Sequence, residues 1–372
     1  MRIGPHLFFL KLTVLRLEFQ ACRPVKGLGD HQPFLFTKSK AKVMEEMLIV
    51  GVDVSKSTLD IFLMPLGVCR KIKNSQPGFN QWLKELKKIS SPSSKLLIVM
   101  EHTGQYSHRF ELFLRSQGID YCKIAALEIK RSLGIVRGKS DKVDARRIAN
   151  YGWLRKDILT ADPGCHEEIW KLKNLLSLRA MMVRHRSGYL ARLKEMKASG
   201  TCKPSDLEIQ LQQQMIDFLS KKISLLQKQI QTLINTDQSL SKTSELLRSI
   251  KGVGWITAAY MIGCTENFKR FSNARKFNCY AGLAPFKHES GSSIKGKTRL
   301  SHLANKQAKA LLNLAASSAI QYNPEMKAYY QKRVAEGKRK MSCLNIIRSK
   351  LVARMFAVIK RQSPYQQVAP AA

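Results

Sequence analysis

Residues 48–63 read Leu-Ile-Val-Gly-Val-Asp-Val-Ser-Lys-Ser-Thr-Leu-Asp-Ile-Phe-Leu. Apolar β-branched residues surround one carboxylate, a polar turn follows and apolar residues resume, which predicts a buried strand, a tight turn and a second strand. Burial of Asp53 within an apolar strand costs free energy unless a metal ion, a cation or strong hydrogen bonds compensate for it. The alternative is a strand-end Asp that caps a turn, and this segment alone leaves both interpretations open.

The composition points to a polyanionic partner. The 372 residues include 64 Lys and Arg against 27 Asp and Glu, a formal net charge of +37. This excess is self-repulsive in a compact fold, and a polyanion offsets it. The basic residues are spread along the chain, which favours nucleic acid contacted by several domains over a membrane surface contacted by one segment.

Cysteine usage and hydropathy indicate the compartment. None of the eight cysteines forms a Cys-x-x-Cys pair, so we expect the reduced thiols of a cytoplasmic protein rather than zinc ligands. No apolar run approaches membrane-spanning length. Residues 1–46 do not pattern like the rest of the chain: the apolar run 7–10 is too short for a secretory signal, and residues 21–43 lack periodicity. We expect a disordered or misassigned extension there, with Met44 or Met47 as the true initiator.

The elements predicted for the domain 47–160 follow a diagnostic order. They are three short strands near 48–54, 58–65 and 68–73, an amphipathic helix from Phe79 to Ile89, a buried strand at 96–100, a helix at about 106–117, a strand at 120–124, and a helix entered near 141. This order is typical of a ribonuclease-H-like α/β domain.

Four carboxylates have compatible settings within that domain. Asp53 is on the first strand, and Glu101 is at the carboxyl end of the fourth, where α/β sheets bind ligands. Asp141 and Asp144 are three residues apart and share a face if helical. Such oxygen donors suit a pair of Mg²⁺ ions about 4 Å apart, one activating the attacking oxygen and one stabilising the leaving oxygen. Alternatively, Asp144 only complements the dipole of its helix. His102, which follows Glu101, could be a ligand or a base, but a local hydrogen-bonding role is the simpler interpretation.

Residues 161–240 form a predicted helical linker. A heptad pattern runs through Ile216, Leu219, Ile223, Leu226, Ile230 and Leu233. A break at 199–204 separates it from an earlier helix, so the two helices form either an antiparallel hairpin or an intermolecular coiled coil. The linker is expected to separate two functional domains or to dimerise the protein.

Two features stand out in the predicted C-terminal domain 241–362, which a loose tail at 363–372 follows. Glycines 252 and 254 lie between two apolar helices, which predicts a helix-hairpin-helix whose amides hold a phosphate; a plain helical turn is the alternative. Residues 286–300 form a polar, cation-rich loop that bears Ser290, Ser292 and Ser293. Such a loop is either merely solvated or holds a serine nucleophile whose phosphoryl charge the cations stabilise.

Three groups of residues are the predicted nucleic-acid contacts, although a run of charges is often only a solvated face. They are Lys130, Arg131, Arg137, Lys139, Lys142, Arg146 and Arg147 beside the carboxylates, Lys251, Gly252 and Gly254 at the helical turn, and Lys295, Lys297 and Arg299 in the serine loop.

Five motifs together resemble a known family. They are Gly-Val-Asp-Val-Ser-Lys (51–56), Met-Glu-His-Thr-Gly (100–104), Lys-Ser-Asp-Lys-Val-Asp-Ala-Arg-Arg-Ile-Ala (139–149), Ile-Lys-Gly-Val-Gly (250–254) and Ala-Gly-Leu-Ala-Pro with Ser-Gly-Ser-Ser and Gly-Lys (281–297). In this order they resemble the bacterial DEDD transposases of the insertion-sequence family numbered one hundred and ten, with which the Piv invertases group. In the segment after Arg299, Ala304 precedes Asn305 where that family usually has Gly-Asn.

The resemblance implies a RuvC-like N-terminal domain, a coiled-coil linker and a mostly α-helical C-terminal transposase domain. It implies that Asp53, Glu101, Asp141 and Asp144 bind Mg²⁺, with Mn²⁺ as a substitute, and that Ser290 forms a covalent link to DNA. Ser292 and Ser293 are the second choices for the nucleophile.

The resemblance also implies the partners and the reaction. The expected protein is a nucleoid-associated recombinase that acts on donor and target DNA under a structured bridge RNA. The carboxylates and the serine lie in different predicted domains, so the site forms either by folding-back of one domain or between protomers. The heptad seam favours protomers, and we expect a dimer or tetramer.

Three rival functions remain. A junction-resolving nuclease would use the same carboxylates with water as the nucleophile, and a decayed transposase would bind nucleic acid without chemistry. An ATP-binding fold of the actin and sugar-kinase type lacks its second Gly-rich loop here and suits the charge of +37 poorly.

Overall fold

The computed structural model describes residues 47–89, 95–102, 104–132, 141–164, 166–200, 203, 205–290 and 294–366, with backbone alone at 141–142, 287–290, 294–295 and 297. The chain divides into two compact units, Met1–Asp162 and Pro163–Ala372. The expectations for 1–46 and for Arg137, Lys139, Ser292 and Ser293 lie outside the described residues. In the described part, no helix is both long and apolar enough to cross a membrane.

The first unit combines a sheet with helices. Its elements are β1 (Met47–Val54), β2 (Thr58–Met64), β3 (Val68–Lys73), α1 (Gln76–Ile89), β4 (Lys95–Glu101), α2 (His108–Ser116), β5 (Asp120–Ile124), α3 (Ala126–Ser132) and α4 (Asp141–Leu154). The predicted order of strands and helices is confirmed, with the short helix α3 added to it in the described residues.

The five strands form one mixed sheet in the order β3-β2-β1-β4-β5. β1, β2 and β3 pair antiparallel through short turns. β1, β4 and β5 pair parallel, and because parallel neighbours need a crossover connection, α1 and α2 supply it. The carboxyl ends of β1 and β4 therefore meet at one edge of the sheet.

Helices cover both faces of this sheet. Val52 of β1 packs with Trp82 of α1 and Phe110 of α2. Ile49 of β1 packs with Ile148 of α4 on the opposite face. Successive residues of a strand point to opposite faces, so the continuous apolar run of β1 is explained by burial on both sides.

The second unit is mostly helical. Its elements are α5 (Glu167–Ser199), α6 (Leu207–Thr236), α7 (Gln238–Arg248), α8 (Trp255–Thr265), α9 (Ala274–Tyr280), β6 (Pro285–Ser290), β7 (Ile294–Leu300), α10 (Lys306–Tyr322), α11 (Pro324–Ala335) and α12 (Lys340–Arg361). The helices from α7 onward pack around a core that includes the fully buried Leu247, Leu312 and Ile347.

The helices α5 and α6 form an antiparallel hairpin. Leu193, near the end of α5, packs with Ile209, near the start of α6, whereas Leu172 and Ile230 share a cluster at the opposite end. Ile223, in the middle of the predicted heptad seam, is 3% exposed. The seam therefore packs within the chain, as in the hairpin alternative.

The prediction of a polar loop at 286–300 is wrong, because β6 and β7 form an antiparallel hairpin there. Pro285 pairs with Leu300, and Ser290 pairs with Ile294. Phe286 and Arg299 are exposed, so the hairpin has little apolar burial to mark it in the sequence. The two strands instead satisfy each other's backbone hydrogen-bonding groups.

Candidate active site

Asp53 and Glu101 occupy neighbouring positions on the sheet. β1 and β4 pair in parallel as far as Val52 and Met100, and the two acids are the next residue on each strand. Paired strands lie about 4.8 Å apart, so the two carboxylates start from adjacent positions at the carboxyl edge. Both residues are partly buried.

Both carboxylates lie on the sheet face that α4 covers. Side chains alternate along a strand, so Asp53 shares a face with Ile49, and Glu101 shares a face with Val99. Ile49 and Val99 belong to the same cluster as Ile148 of α4. The packing of α4 on this face therefore determines how far its residues lie from Asp53 and Glu101.

The first turn of α4 points toward the Asp53 end of β1. A Cβ atom on Gly152 would lie 2.8 Å from the Cγ2 atom of Ile49, and one on Gly51 would lie 2.4 Å from the Ala145 carbonyl oxygen. α4 therefore runs opposite to β1, with its N-terminal end toward the C-terminal end of the strand. The turn that begins α4, which includes Asp144, continues this path.

Asp144 is engaged by a cation of its own helix. Arg147 Nη1 lies 2.7 Å from Asp144 Oδ1, although Arg147 was predicted to contact phosphate. Asp141 is the first residue of α4, where the backbone alone is described. Among the described residues, no group of three or more His, Cys, Asp and Glu side chains could hold a metal ion. The donor types suit Mg²⁺, and Asp144 would have to exchange Arg147 for the ion.

A further acid, Asp60, was not singled out from the sequence. Asp60 is 5% exposed and lies directly opposite Asp53 in the β1–β2 ladder. Like charges directly opposite each other are destabilising, and Lys71 Nζ, 3.2 Å from Asp60 Oδ2, offsets this repulsion. The available signal was a second acid within an apolar strand, the pattern that identified Asp53.

Asn74 joins the loops that follow the two acid-bearing strands. Its Nδ2 atom donates to the carbonyl of Ser55, after β1, at 2.9 Å and to that of Tyr106, after β4, at 3.1 Å. Its backbone N–H donates to the Ser57 carbonyl at 2.9 Å. This one side chain ties the loops at the carboxyl edge together.

The predicted phosphate contacts in the first unit have different surroundings. Lys130 and Arg131 are exposed on α3. Arg146 is exposed, with its guanidinium 5.7 Å from the Phe62 ring centroid. Lys142 lies in the first turn of α4, where the backbone alone is described.

The two glycines between α7 and α8 have different roles. Gly252 has φ +97°, and a Cβ atom there would lie 2.7 Å from that of Ala319, so both the turn and close packing require glycine. Gly254 is the N-cap of α8 and faces open space. Lys251 is exposed beside them. A phosphate at this helix start stays a prediction.

Ser290 ends β6, where the backbone alone is described. Of the predicted cations on β7, Arg299 is exposed, and Lys295 and Lys297 are described by their backbone. Hydrogen bonds anchor the chain on either side of this hairpin to α9. The Leu283 amide donates to the carbonyl of Asn278, and the Asn305 amide donates to that of Tyr280.

The Asn305 side chain extends this anchor. Asn305 Oδ1 accepts from Tyr260 Oη at 3.0 Å and from the Ala308 amide at 2.9 Å, and Asn305 Nδ2 donates to Tyr280 Oη at 2.8 Å. Burial raises the pKa of both tyrosine hydroxyls. The network links α8, α9 and the start of α10.

Ala304, which replaces the usual glycine, fits because its neighbour has no side chain. A Cβ atom on Gly282 would lie 2.4 Å from the Cβ atom of Ala304. Gly282 also has φ +65°, which L-residues adopt rarely. The extra methyl group of Ala304 therefore occupies space that Gly282 leaves open.

Two transposase family models match the chain. One, described as a transposase of the DEDD IS110 type, matches residues 50–196. The other, described as "Transposase IS116/IS110/IS902 family", matches residues 244–331. The first match includes all four predicted metal ligands, and the second includes Ser290.

The chain belongs to the IS110 family of transposases. It is 26% identical over 329 residues to the pilin gene-inverting protein of Moraxella bovis, which covers 86% of this chain and 97% of that protein. It is 21% identical over 369 residues to the transposase for insertion sequence element IS1111A of Coxiella burnetii, covering 91% and 96%.

A third IS110 relative is more local. The match to an uncharacterized 43.6 kDa protein of insertion element IS110 from Streptomyces coelicolor is 29% identical over 142 residues, covering 38% of this chain and 35% of that protein. The family inferred from the five motifs is confirmed, and membership in it makes the chain an enzyme that acts on DNA.

Proposed function

We propose that this IS110-family chain is a recombinase of an insertion sequence that cuts and exchanges DNA strands with Mg²⁺ and a serine nucleophile. The observation that carries the proposal is the adjacency of Asp53 and Glu101 on one sheet face, beneath the helix that begins with Asp141. Three elements distant in sequence thereby direct acids toward one edge.

We assign the first unit to the RNase H-like fold in its RuvC-like form. The sheet order β3-β2-β1-β4-β5 supports the assignment, with three antiparallel strands followed by two parallel ones. The acids on β1, at the end of β4 and on the last helix of this unit are the oxygen donors that a two-metal site would use.

The carboxylates Asp53, Glu101, Asp141 and Asp144 would hold the metal ions. Bound Mg²⁺ supplies Lewis-acid polarisation of a phosphate oxygen. Arg147 pairs with Asp144, and binding of an ion by this acid would change that pairing and let the guanidinium contact a DNA phosphate. Asn74 keeps the two strand ends together as the site fills.

The serine would carry the covalent step. Ser290 Oγ attacks the scissile phosphorus and displaces the sugar oxygen, so a phosphoserine ester forms and a free sugar hydroxyl leaves with one proton. A sugar hydroxyl of the partner strand then attacks that ester, restores the serine and joins the strands. Arg299 and the β7 lysines would stabilise the charge on the phosphoryl oxygens.

We also propose that a structured RNA directs the choice of site. The net charge of +37 suits a complex with more than one polyanion. Base pairing would then supply specificity, while the protein contacts backbones. Retention of an RNA from the element's flank during purification, sensitive to ribonuclease, tests this part of the proposal.

The test of the proposal is nicking of supercoiled donor DNA with added Mg²⁺ and flanking RNA. Parent protein should nick it, and Asp53→Asn and Glu101→Gln should lower the rate at least about a hundredfold. Asp120→Asn is the matched control, because Asp120 is exposed at the start of β5, on the opposite sheet edge. Equal rates for all four proteins would contradict the proposal.

A further inference from the structure

A basic groove runs along the outer edge of the first unit's sheet. It has a volume of about 790 Å³ and lies between β3, the edge strand, and α1. Its lining includes four cations, Arg70, Lys71, Lys73 and Lys88, and one acid, Glu85. The family match and the predicted contacts assign no role to it.

Only part of this positive charge is neutralised within the protein. Arg70 Nε is 3.6 Å from Glu85 Oε2 with both side chains about half exposed, and such pairs interact weakly. Lys71 pairs with Asp60. In the described chain, Lys73 and Lys88 make no ion pair, and both are exposed. A cation-lined concavity of this kind attracts a polyanion.

The groove leads toward the carboxylate edge. Asp53 pairs with Asp60, and Asp60 pairs with Lys71, so these three residues form a row across β1, β2 and β3. β3 runs in the same direction as β1 and about 10 Å from it. Lys73 is two residues beyond Lys71, toward the edge where Asp53 lies.

The end of the groove has a fixed shape. A Cβ atom on Gly78, in the first turn of α1, would lie 2.4 Å from the Lys73 carbonyl oxygen. The helix therefore starts in direct contact with the end of β3. β3 is the edge strand, so in the described chain no further strand pairs with its outer side.

We propose that the groove between β3 and α1 binds the sugar–phosphate backbone of the DNA strand whose phosphate enters the Asp53–Glu101 site. The continuation of the strand to the Asp53–Glu101 site rests on the proposed function, whereas binding of DNA in the groove requires only the four cations. Phosphate contacts made by lysines add affinity without base specificity.

The helix α1 offers a matched control. Lys84 and Lys87 are exposed on it but lie outside the groove lining. The double variants Lys73→Ala/Lys88→Ala and Lys84→Ala/Lys87→Ala remove the same charge from the full-length chain. Lys73→Arg/Lys88→Arg keeps the charge and should bind as the parent does, which separates lost contacts from lost folding.

The measurement is fluorescence anisotropy of a labelled DNA strand, in EDTA, over a range of salt concentrations. The groove double variant should raise the Kd about tenfold and lower the slope of log Kd against log salt by roughly 1.4, the value for two phosphate contacts on a single strand. The control double variant should stay within about twofold of the parent. Equal losses in the two double variants would overturn the proposal.

Binding of a labelled RNA of the same length shows whether the groove binds RNA instead of DNA. Loss of RNA affinity with unchanged DNA affinity in the groove variant would overturn the DNA assignment. Nicking by Asp53→Asn separates the two proposals. Normal DNA binding by the groove variant, together with loss of nicking in Asp53→Asn, would sink the groove alone, whereas unchanged nicking in Asp53→Asn would sink the proposed function.

Discussion

Asp53 lies directly opposite Asp60 in the antiparallel ladder of β1 and β2, so two carboxylates face the same side of adjacent strands. Asp60 is buried and paired with Lys71. Asp53 lies on β1, the central strand of the sheet, next to Glu101 of β4. A cation at the carboxyl edge would reduce the remaining repulsion.

This arrangement predicts a specific dependence on Lys71. Lys71→Ala leaves the Asp60 charge buried beside Asp53, and because Lys71 is half exposed we expect a loss of only about 1–2 kcal/mol in unfolding free energy. Adding Asp60→Asn should restore most of that loss, since the uncompensated charge is then gone. Urea unfolding of the single and double variants measures both effects. A double variant as unstable as Lys71→Ala would show that the two carboxylates do not interact.

The metal proposal predicts a thermal shift. Mg²⁺ should raise the melting temperature of the parent by about 3 °C for roughly 1 kcal/mol of binding stabilisation. Asp53→Asn and Glu101→Gln should melt at the same temperature with Mg²⁺ and with EDTA. Scanning fluorimetry of these variants beside Asp120→Asn is the measurement. An equal shift in all of them would mean that the ion binds elsewhere.

The close contact between β1 and α4 predicts a severe effect of Gly51→Ala. The new Cβ atom would lie 2.3 Å from the Ala149 amide nitrogen, and backbone atoms cannot move aside as a side chain can. We expect a loss of about 3 kcal/mol or more and displacement of the turn that carries Asp144. Gly188→Ala is the control, because Gly188 lies within α5 with open space around it, and this change should stabilise by about 0.5–1 kcal/mol. Similar stabilities of the two variants would contradict the packing described.

Asn305 predicts a graded pair of variants. Asn305→Asp keeps the oxygen that caps α10 but loses the Nδ2 donor to Tyr280, whereas Asn305→Ala loses both. We expect the alanine variant to be less stable than the aspartate variant by about 1 kcal/mol. Guanidinium unfolding of the second unit's helices compares them. The reverse order would show that the cap contributes little here.

The sequence predicted the first unit well because its signals are local. The apolar runs of β1 and β4 and the amphipathic pattern of α1 are each complete within one segment. The turn formers between them also have a direct physical meaning. The order of elements followed from these alone, without any knowledge of which strands pair.

Other features depended on pairing and could not be read from any one segment. The register that sets Asp60 opposite Asp53 is fixed by the turn and by burial of both strands. The heptad pattern of α6 did not show which helix it packs against, and that helix is α5 of the same chain. Asn74 acts through loops far apart in sequence, and β6 and β7 lack the apolar alternation that marks most strands.

In the proposed function, a serine and a metal-binding carboxylate site act on the same DNA. The most direct measurement is a denaturing gel of Mg²⁺ reactions that contain supercoiled donor and target DNA with flanking RNA. Parent, Ser290→Ala, Ser292→Ala and Asp53→Asn proteins would be compared. We expect a covalent protein–DNA adduct in the parent and in Ser292→Ala that is absent from Ser290→Ala and Asp53→Asn. Nicked DNA without an adduct, formed equally by the parent and Ser290→Ala, would contradict it and leave a metal-dependent nuclease.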